Sequence, residues 1–175
     1  VERFTPEGGD GGLRERLGLD EDEFVVISVA ALRWEKGVHD IVHAMKALAM
    51  DPELKGQRLR LVFAGSGPEH DRLRDLADRI GLGEQVILTR FAYDEIPAAY
   101  RAADAFVLAS TARPGWLEQF GYVLPEAMAS GLPVVATRSG SIDEVVGDAG
   151  VIVPPSDFLG LARALKELAL DPDRC

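Results

Sequence analysis

Six short apolar runs, each continuous rather than alternating, punctuate longer amphipathic stretches of this chain. They cover residues 24–30, 59–64, 86–89, 105–108, 133–136 and 151–153. A strand with one wet face alternates apolar and polar side chains. A continuous run needs cover on both faces, which parallel sheets obtain from helices. The intervening stretches supply that cover. Val38, Ile41, Val42, Met45 and Ala49 fall on one helical face. Gly67-Pro68-Glu69 opens a second helix, with proline at a tolerated first-turn position. Leu73, Leu76, Ala77 and Ile80 continue its apolar face, and Gly81 stops it. Gly131-Leu132-Pro133 stops another helix, and residues 157–170 read as the last. This repetition predicts an α/β fold, a doubly wound parallel sheet of about six strands. In such sheets ligands bind beyond the carboxyl ends of the strands, at a topological switch point, so the loops after the strands carry the information.

A chain of 175 residues can bury one core of this kind. Its 29 acidic and 19 basic side chains leave a net charge of −10, which argues against nucleic acid as a partner. A small anion remains admissible, since it needs only a few local donors. The single cysteine, Cys175, excludes an intrachain disulfide and a cysteine-rich metal site, and favours a reducing compartment. No apolar run is long enough to span a bilayer, and no signal-peptide pattern opens the chain. Residues 1–23 read as a linker and lead-in helix, 24–170 as the folded domain and 171–175 as a truncated tail. Both ends read as cut points, the expectation for one domain of a longer protein.

After the first run, Arg33 and Lys36 stand close together before a helix, in Ala31-Leu32-Arg33-Trp34-Glu35-Lys36-Gly37. Two cations there suit an anion; a solvated turn with its charges paired to Glu35 suits the pattern equally. After the second run, Gly65 and Gly67 let the backbone approach either a ligand or a neighbouring loop. This is not a GxGxxG fingerprint, and there is no P-loop. The most informative segment is 116–131. Pro125 lacks an N–H and must lie in a first helical turn, so a helix starts near Gly121 or Tyr122 with its free amides facing the loop. Glu118 precedes that turn and Glu126 lies within it. Eight helical steps would span about 12 Å, roughly the reach from one sugar to another across a diphosphate. The plainer readings are a loop acid at 118 and an acid favouring the helix N-terminus at 126.

Glu118 and Glu126, seven residues apart with Phe120-Gly121 between them, resemble the E-x7-E motif of family-four retaining glycosyltransferases of the GT-B fold. Residues 127–136 and 139–146 are similar to the helix, strand and glycine turn that follow it. Trp34-Glu35-Lys36-Gly37, Gly65-Ser66-Gly67-Pro68 and the strand 103–110 resemble its earlier signatures in the same order. The resemblance runs from about Phe24 to Asp157 and implies a Rossmann-like domain, the C-terminal, donor-binding half of the GT-B fold. It implies that Lys36 contacts the donor diphosphate and Glu118 the hydroxyls of the transferred sugar. Gly121 and Tyr122, next to Phe120, present amides to phosphate; Glu126 takes the ribose; Phe91 and its neighbours line the base pocket. Ser139 and Gly140 turn near the same crevice, and Gly67 belongs to the glycine loop of the site. Two departures stand out. Ala31 occupies the place of the family's phosphate-binding arginine, for which Arg33 is the candidate replacement, and Tyr93 replaces a frequent glycine. The loop 111–116 is longer than usual, with Arg113 and Trp116 as further donor contacts or plain surface.

The implied reaction moves a sugar from a nucleoside diphosphate sugar to an acceptor hydroxyl with retention. It needs no cofactor and no divalent metal. The acceptor, a carbohydrate or other hydroxyl compound, would bind the absent N-terminal domain, so the isolated domain is expected to be inactive. A cytoplasmic site follows from where nucleotide sugars are made, with room for peripheral membrane association of the full-length protein. The alternatives are a GT-B-like phosphorylase, a nucleotide-sugar epimerase, or a non-catalytic nucleotide-binding module. A phosphorylase would require a cofactor lysine, and Lys46, Lys55 and Lys166 lie in no such setting. His39-Asp40-Ile41-Val42-His43 mimics a zinc-binding HExxH without a third ligand, and reads as two partly exposed histidines. Asp20-Glu21-Asp22 and Asp171-Pro172-Asp173 follow no strand and read as loop acids.

Overall fold

The structure, a computed structural model, describes residues 3–112 and 116–171. Arg113 and the tail residues Pro172 and Asp173 therefore lie outside the described residues, as does Cys175. Six strands form one parallel sheet: β1 (Glu23–Val29), β2 (Arg58–Ala64), β3 (Val86–Thr89), β4 (Ala105–Leu108), β5 (Val134–Thr137) and β6 (Gly150–Val153). The order is β3-β2-β1-β4-β5-β6. Seven helices are described: α1 (Leu13–Leu17), α2 (Val38–Ala49), α3 (His70–Arg79), α4 (Ile96–Arg101), α5 (Val123–Ala129), α6 (Ile142–Val146) and α7 (Phe158–Leu170).

The continuous apolar runs are explained by two cores. Alternate residues of each strand point to opposite faces. Val26, Leu61, Phe63, Val107 and Val135 pack under α2, α3 and α7. Val25, Ile27, Val62, Phe106 and Ala136 pack under α1, α4, α5 and α6. Asp157 caps α7 by accepting the Gly160 N–H at 2.8 Å. Among the described residues no helix is long and apolar enough to cross a membrane.

Two local expectations need correction. The helix expected at Gly67-Pro68-Glu69 begins later, at His70. The Glu69 N–H donates instead to the Leu32 carbonyl at 3.0 Å, which pins the preceding turn to the loop after β1. The opening segment is not a bare linker. Phe4 is buried, its ring meeting Tyr100 edge-on at 5.9 Å, and Arg101 donates to the carbonyls of Gly9 and Thr5. Residues 3–12 are a strap across α4, with Pro6 beside Gly131 just past the end of α5.

Candidate active site

The chain winds from β1 outward through β2 and β3, then crosses back to β4 on the other side. The loops after β1 and β4 diverge there, and this is the switch point. It holds a cleft of about 680 Å³ lined by Val29, Ala30, Ala31, Lys36, Leu108 and residues 116–123. A hollow of about 440 Å³ at the other end of the sheet surrounds Arg58 and Arg60. Those arginines already pair with Asp20, Asp22 and Glu23. Asp20 and Asp22 thus sit at the amino ends of the strands, away from the cleft.

Lys36 is the last residue of a 3-10 turn, Trp34–Lys36. The Thr111 N–H donates to the Glu35 carbonyl at 2.9 Å and ties that turn to the loop after β4. From there Lys36 Nζ reaches Glu118 Oε2 at 2.5 Å, with both side chains largely shielded from water. Ser110 Oγ donates to the same oxygen at 2.8 Å, and Thr137 Oγ1 donates to the Ser110 carbonyl at 2.6 Å. The Lys36 ammonium also lies 5.1 Å from the centre of the Trp116 ring. Behind Glu118, its carbonyl accepts the Ser141 N–H at 3.3 Å. Gly140 passes so close that a Cβ there would lie 1.7 Å from the Glu118 carbonyl oxygen. Glu118 is therefore held by loops from β1, β4 and β5 together.

The helix N-terminus falls where Pro125 requires it, with Tyr122 as the N-cap of α5. Gly121 (φ 66°) turns the chain into the helix, and Gly121, Tyr122 and Val123 line the cleft. Phe120 and Tyr122 stand exposed at its mouth, rings 4.9 Å apart. One turn into α5, half-buried Glu126 accepts from the Tyr100 hydroxyl at 3.3 Å. Burial pushes the Glu126 carboxyl above its ordinary value, and the Tyr100 hydrogen bond pulls the other way. Burial also drives the Tyr100 hydroxyl far up, so it remains a donor throughout the accessible pH range.

Of the residues singled out in the sequence, Lys36, Glu118, Phe120, Gly121 and Tyr122 meet at the cleft. Gly140 supports Glu118 from behind, next to buried Ser139. Three others go elsewhere. Arg33 is exposed, 3.7 Å from Glu35, and does not line the cleft. The Arg33 N–H donates to the Ala31 carbonyl at 2.8 Å; this tight turn breaks the extended alternation that would have aligned Arg33 with Ala31. Gly67 serves a neighbouring loop: a Cβ there would lie 2.2 Å from the Leu32 carbonyl oxygen. Phe91 packs half-buried against the second core, its ring 6.0 Å from the Arg16 guanidinium. His39 and His43 diverge, His39 Nε2 lying 3.2 Å from Glu69 and the His43 ring meeting Phe158 at a tilt, centroids 5.6 Å apart. Lys166 pairs with Asp51 and Glu53. Three residues escaped the sequence reading. Ser110 follows and Thr137 ends an apolar strand without a distinguishing signal, and Tyr100 lies in a short helix lacking clear periodicity.

This Rossmann-like parallel domain, with a lysine–glutamate pair at its switch point beside a helix N-terminus, has the α/β fold of GT-B glycosyltransferases. The chain matches the glycosyl transferases group 1 family over residues 12–175 and belongs to that family. It is 34% identical over 182 residues to a GDP-mannose-dependent alpha-(1-6)-phosphatidylinositol monomannoside mannosyltransferase of Mycolicibacterium smegmatis, a match covering 99% of this chain and 46% of that protein. A D-inositol 3-phosphate glycosyltransferase of Streptomyces bingchenggensis is 33% identical, with 98% of this chain and 38% of that one covered. Among solved structures, Anabaena HepE in complex with UDP and glucose superposes with a TM-score of 0.82 at 29% identity, over 97% of this chain and 45% of HepE. The C-terminal domain of the Francisella tularensis glycosyl transferase LpcC gives 0.76 at 26% identity, over 97% of this chain and 87% of that one. The chain thus spans less than half the length of the curated relatives it matches.

Proposed function

We propose that this chain is the donor-binding domain of a retaining, metal-independent glycosyltransferase that uses a nucleoside diphosphate sugar. The observation that carries the reading is the shielded Lys36–Glu118 pair at the switch-point cleft, one loop away from the α5 N-terminus. HepE, crystallised with UDP, and the relative named for GDP-mannose support a nucleotide sugar as donor. A diphosphate entering the cleft competes with Glu118 for the Lys36 ammonium, as the stronger anion. Lys36 then neutralises the leaving group, and the amides of the first turn of α5 take a phosphate oxygen. Glu118, still held by Ser110, accepts hydroxyls of the transferred sugar, while Glu126 takes the ribose. In the transfer step the bond from the anomeric carbon to the diphosphate breaks. The acceptor oxygen bonds to that carbon on the same face, and its proton passes to the departing phosphate. Glu118 positions and does not act as nucleophile. The acceptor would enter from the N-terminal half, and the whole enzyme would work in the cytoplasm, with peripheral membrane contact through that half. A non-catalytic module is the second reading, favoured by one observation: Ala31 lines the cleft where a cation would serve phosphate, and Arg33 does not reach it.

Calorimetric titration with UDP, GDP and ADP, with and without EDTA, tests the reading. One nucleotide is expected to bind saturably and without regard to EDTA, and Glu126→Ala is expected to weaken it by roughly tenfold, the worth of one charge-assisted hydrogen bond. Binding abolished by EDTA, or untouched by the substitution, would count against it. Donor turnover by the full-length protein then separates the enzyme from the module.

Glu126 also ties stability to pH. Its folded carboxyl is raised, so the folded domain favours the protonated form. Below the ordinary carboxyl range both states are protonated and nothing is lost; stability falls as pH climbs through the ordinary value to the raised one. Glu126→Gln is therefore expected to raise the thermal midpoint at pH 7, to leave it unchanged near pH 3.5, and to weaken nucleotide binding. A lower midpoint at pH 7 would contradict this.

A further inference from the structure

Glu69, at the turn after β2, is 5% exposed, a buried carboxylate that the proposed chemistry leaves unused. Its N–H donates to the Leu32 carbonyl, and the Leu32 N–H donates to the Ser66 carbonyl at 2.9 Å. The turn after β2 is thereby stitched to the loop after β1. The Glu69 side chain continues the same connection. Its Oε1 accepts from Arg72 at 3.0 Å, and its Oε2 lies 3.2 Å from Nε2 of His39, in the first turn of α2. The His39 ring in turn meets the Trp34 ring, centroids 4.6 Å apart and planes tilted by 41°. Trp34 opens the 3-10 turn that Lys36 closes. A buried acid, an imidazole and an indole thus run in contact from the turn after β2 to the turn that carries the cleft lysine. Stability does not explain this series. Glu69 Oε2 and His39 Nδ1 are buried without a hydrogen-bond partner among the described residues. Burial holds the His39 imidazole below its ordinary value, against the pull of Glu69, so at pH 7 it is mostly neutral and offsets little of the carboxylate's charge. Apolar side chains of similar volume would fill the same space without that electrostatic cost.

We infer that Glu69 and His39 are positioning residues for the donor diphosphate, holding the Trp34–Lys36 turn so that the Lys36 ammonium meets phosphate. The inference rests on the proposed role of Lys36. A lysine carries its charge on a flexible four-carbon stem, so the charge is placed only as well as the backbone beneath it. Strands β2 and β4 flank β1, so the turn after β1 can be gripped from both sides. On the β4 side the grip is main chain: Thr111 bonds the Glu35 carbonyl, and a Cβ on Gly37 would stand 1.9 Å from the Ala109 carbonyl oxygen. On the β2 side it is the series from Glu69 through His39 to Trp34. A site group held to within a fraction of an ångström needs such support, because its own rotamers do not provide it.

The test is calorimetric titration of the 175-residue chain with UDP, GDP and ADP and with their monophosphates. The readout is the ratio of monophosphate to diphosphate dissociation constants, and Lys36→Ala fixes how much of it the lysine supplies. Glu69→Gln and His39→Leu are each expected to lower the ratio by about tenfold, within the range for residues that act as a unit, and to leave monophosphate binding unchanged. In a Lys36→Ala background the same substitutions are expected to change nothing further. Glu69→Leu combined with His39→Leu is expected to keep the thermal midpoint or raise it, and still to lose the ratio. General support of the fold would instead lower the midpoint and weaken mono- and diphosphates alike. That outcome overturns the inference, as does an unchanged ratio or a loss that persists without Lys36, and in each of these cases the proposed function stands. An unaltered chain that binds none of the nucleotides, or binds diphosphates no tighter than monophosphates, overturns the proposed function as well.

Discussion

Gly140→Ala is expected to remove about 2–4 kcal/mol of stability and, under the proposed function, at least a hundredfold of transfer activity in the full-length protein. Gly140 adopts φ 57°, a left-handed conformation that costs an L-residue about 1–2 kcal/mol. The contact adds to this. A Cβ would stand 1.7 Å from the Glu118 carbonyl oxygen and 2.8 Å from its carbon. Both are backbone atoms, so no rotamer change relieves the overlap. The Glu118 main chain must retreat by more than an ångström, abandoning the Ser141 N–H and carrying the carboxylate away from Lys36 and Ser110. A shift of about 1 Å in a positioning group costs on the order of a hundredfold in rate. Gly18→Ala is the matched control. Gly18 has φ 66° but nothing within 4 Å of its Cβ position, so it carries the conformational cost without the collision. Urea denaturation and donor turnover check the pair. If Gly140→Ala behaves like Gly18→Ala, Glu118 is not held in the manner described.

Tyr100→Ala is expected to destabilise the domain by about 3–5 kcal/mol, the range for truncating a buried aromatic. Tyr100 is fully buried and lies edge-on between Phe4 and Phe106, with centroids 5.9 Å away on each side. Its removal leaves a cavity beneath the strap, and Phe4 loses the surface that holds it. Tyr100→Phe separates packing from the hydroxyl. That hydroxyl lies 3.3 Å from Glu126 Oε2 and 3.4 Å from the Val123 carbonyl, long contacts that share one proton. About 0.5–1 kcal/mol is expected for its loss. The Glu126 carboxyl, deprived of the bond that pulls it down, should then titrate higher still. Chemical denaturation of the two variants decides the matter: a loss below about 2 kcal/mol for Tyr100→Ala would mean that the strap does not depend on this residue.

Much of the architecture was legible because its signals are local. A continuous apolar run reports that a strand is covered on both faces, and the paired cores bear this out for all six strands. Proline at 125 bounds a helix start by steric exclusion alone, and α5 begins where that exclusion allows. Short elements were less visible. Six residues of α4 span fewer than two turns, too few for a period to emerge, and Pro97 within it masks the pattern further. At the opening segment, glycines and a proline outweighed one phenylalanine. Whether an aromatic residue is buried depends on the hole that awaits it, here beside Tyr100 in the second core.

The candidate site divides along the same line. The spacing of Glu118 and Glu126, the helix between them and the loops after the strands were determined by the sequence itself, because sterics and periodicity act within a few residues. The partnership of Lys36 with Glu118 joins residues 82 positions apart and exists because β4 returns beside β1. The same return brings Ser110 under the carboxylate, and β5 brings Gly140 against its carbonyl. A single tight turn at Ala31 decided that Arg33 leaves the cleft. Only the tertiary structure could decide these, since strand order sets which loops meet and no residue carries that information alone.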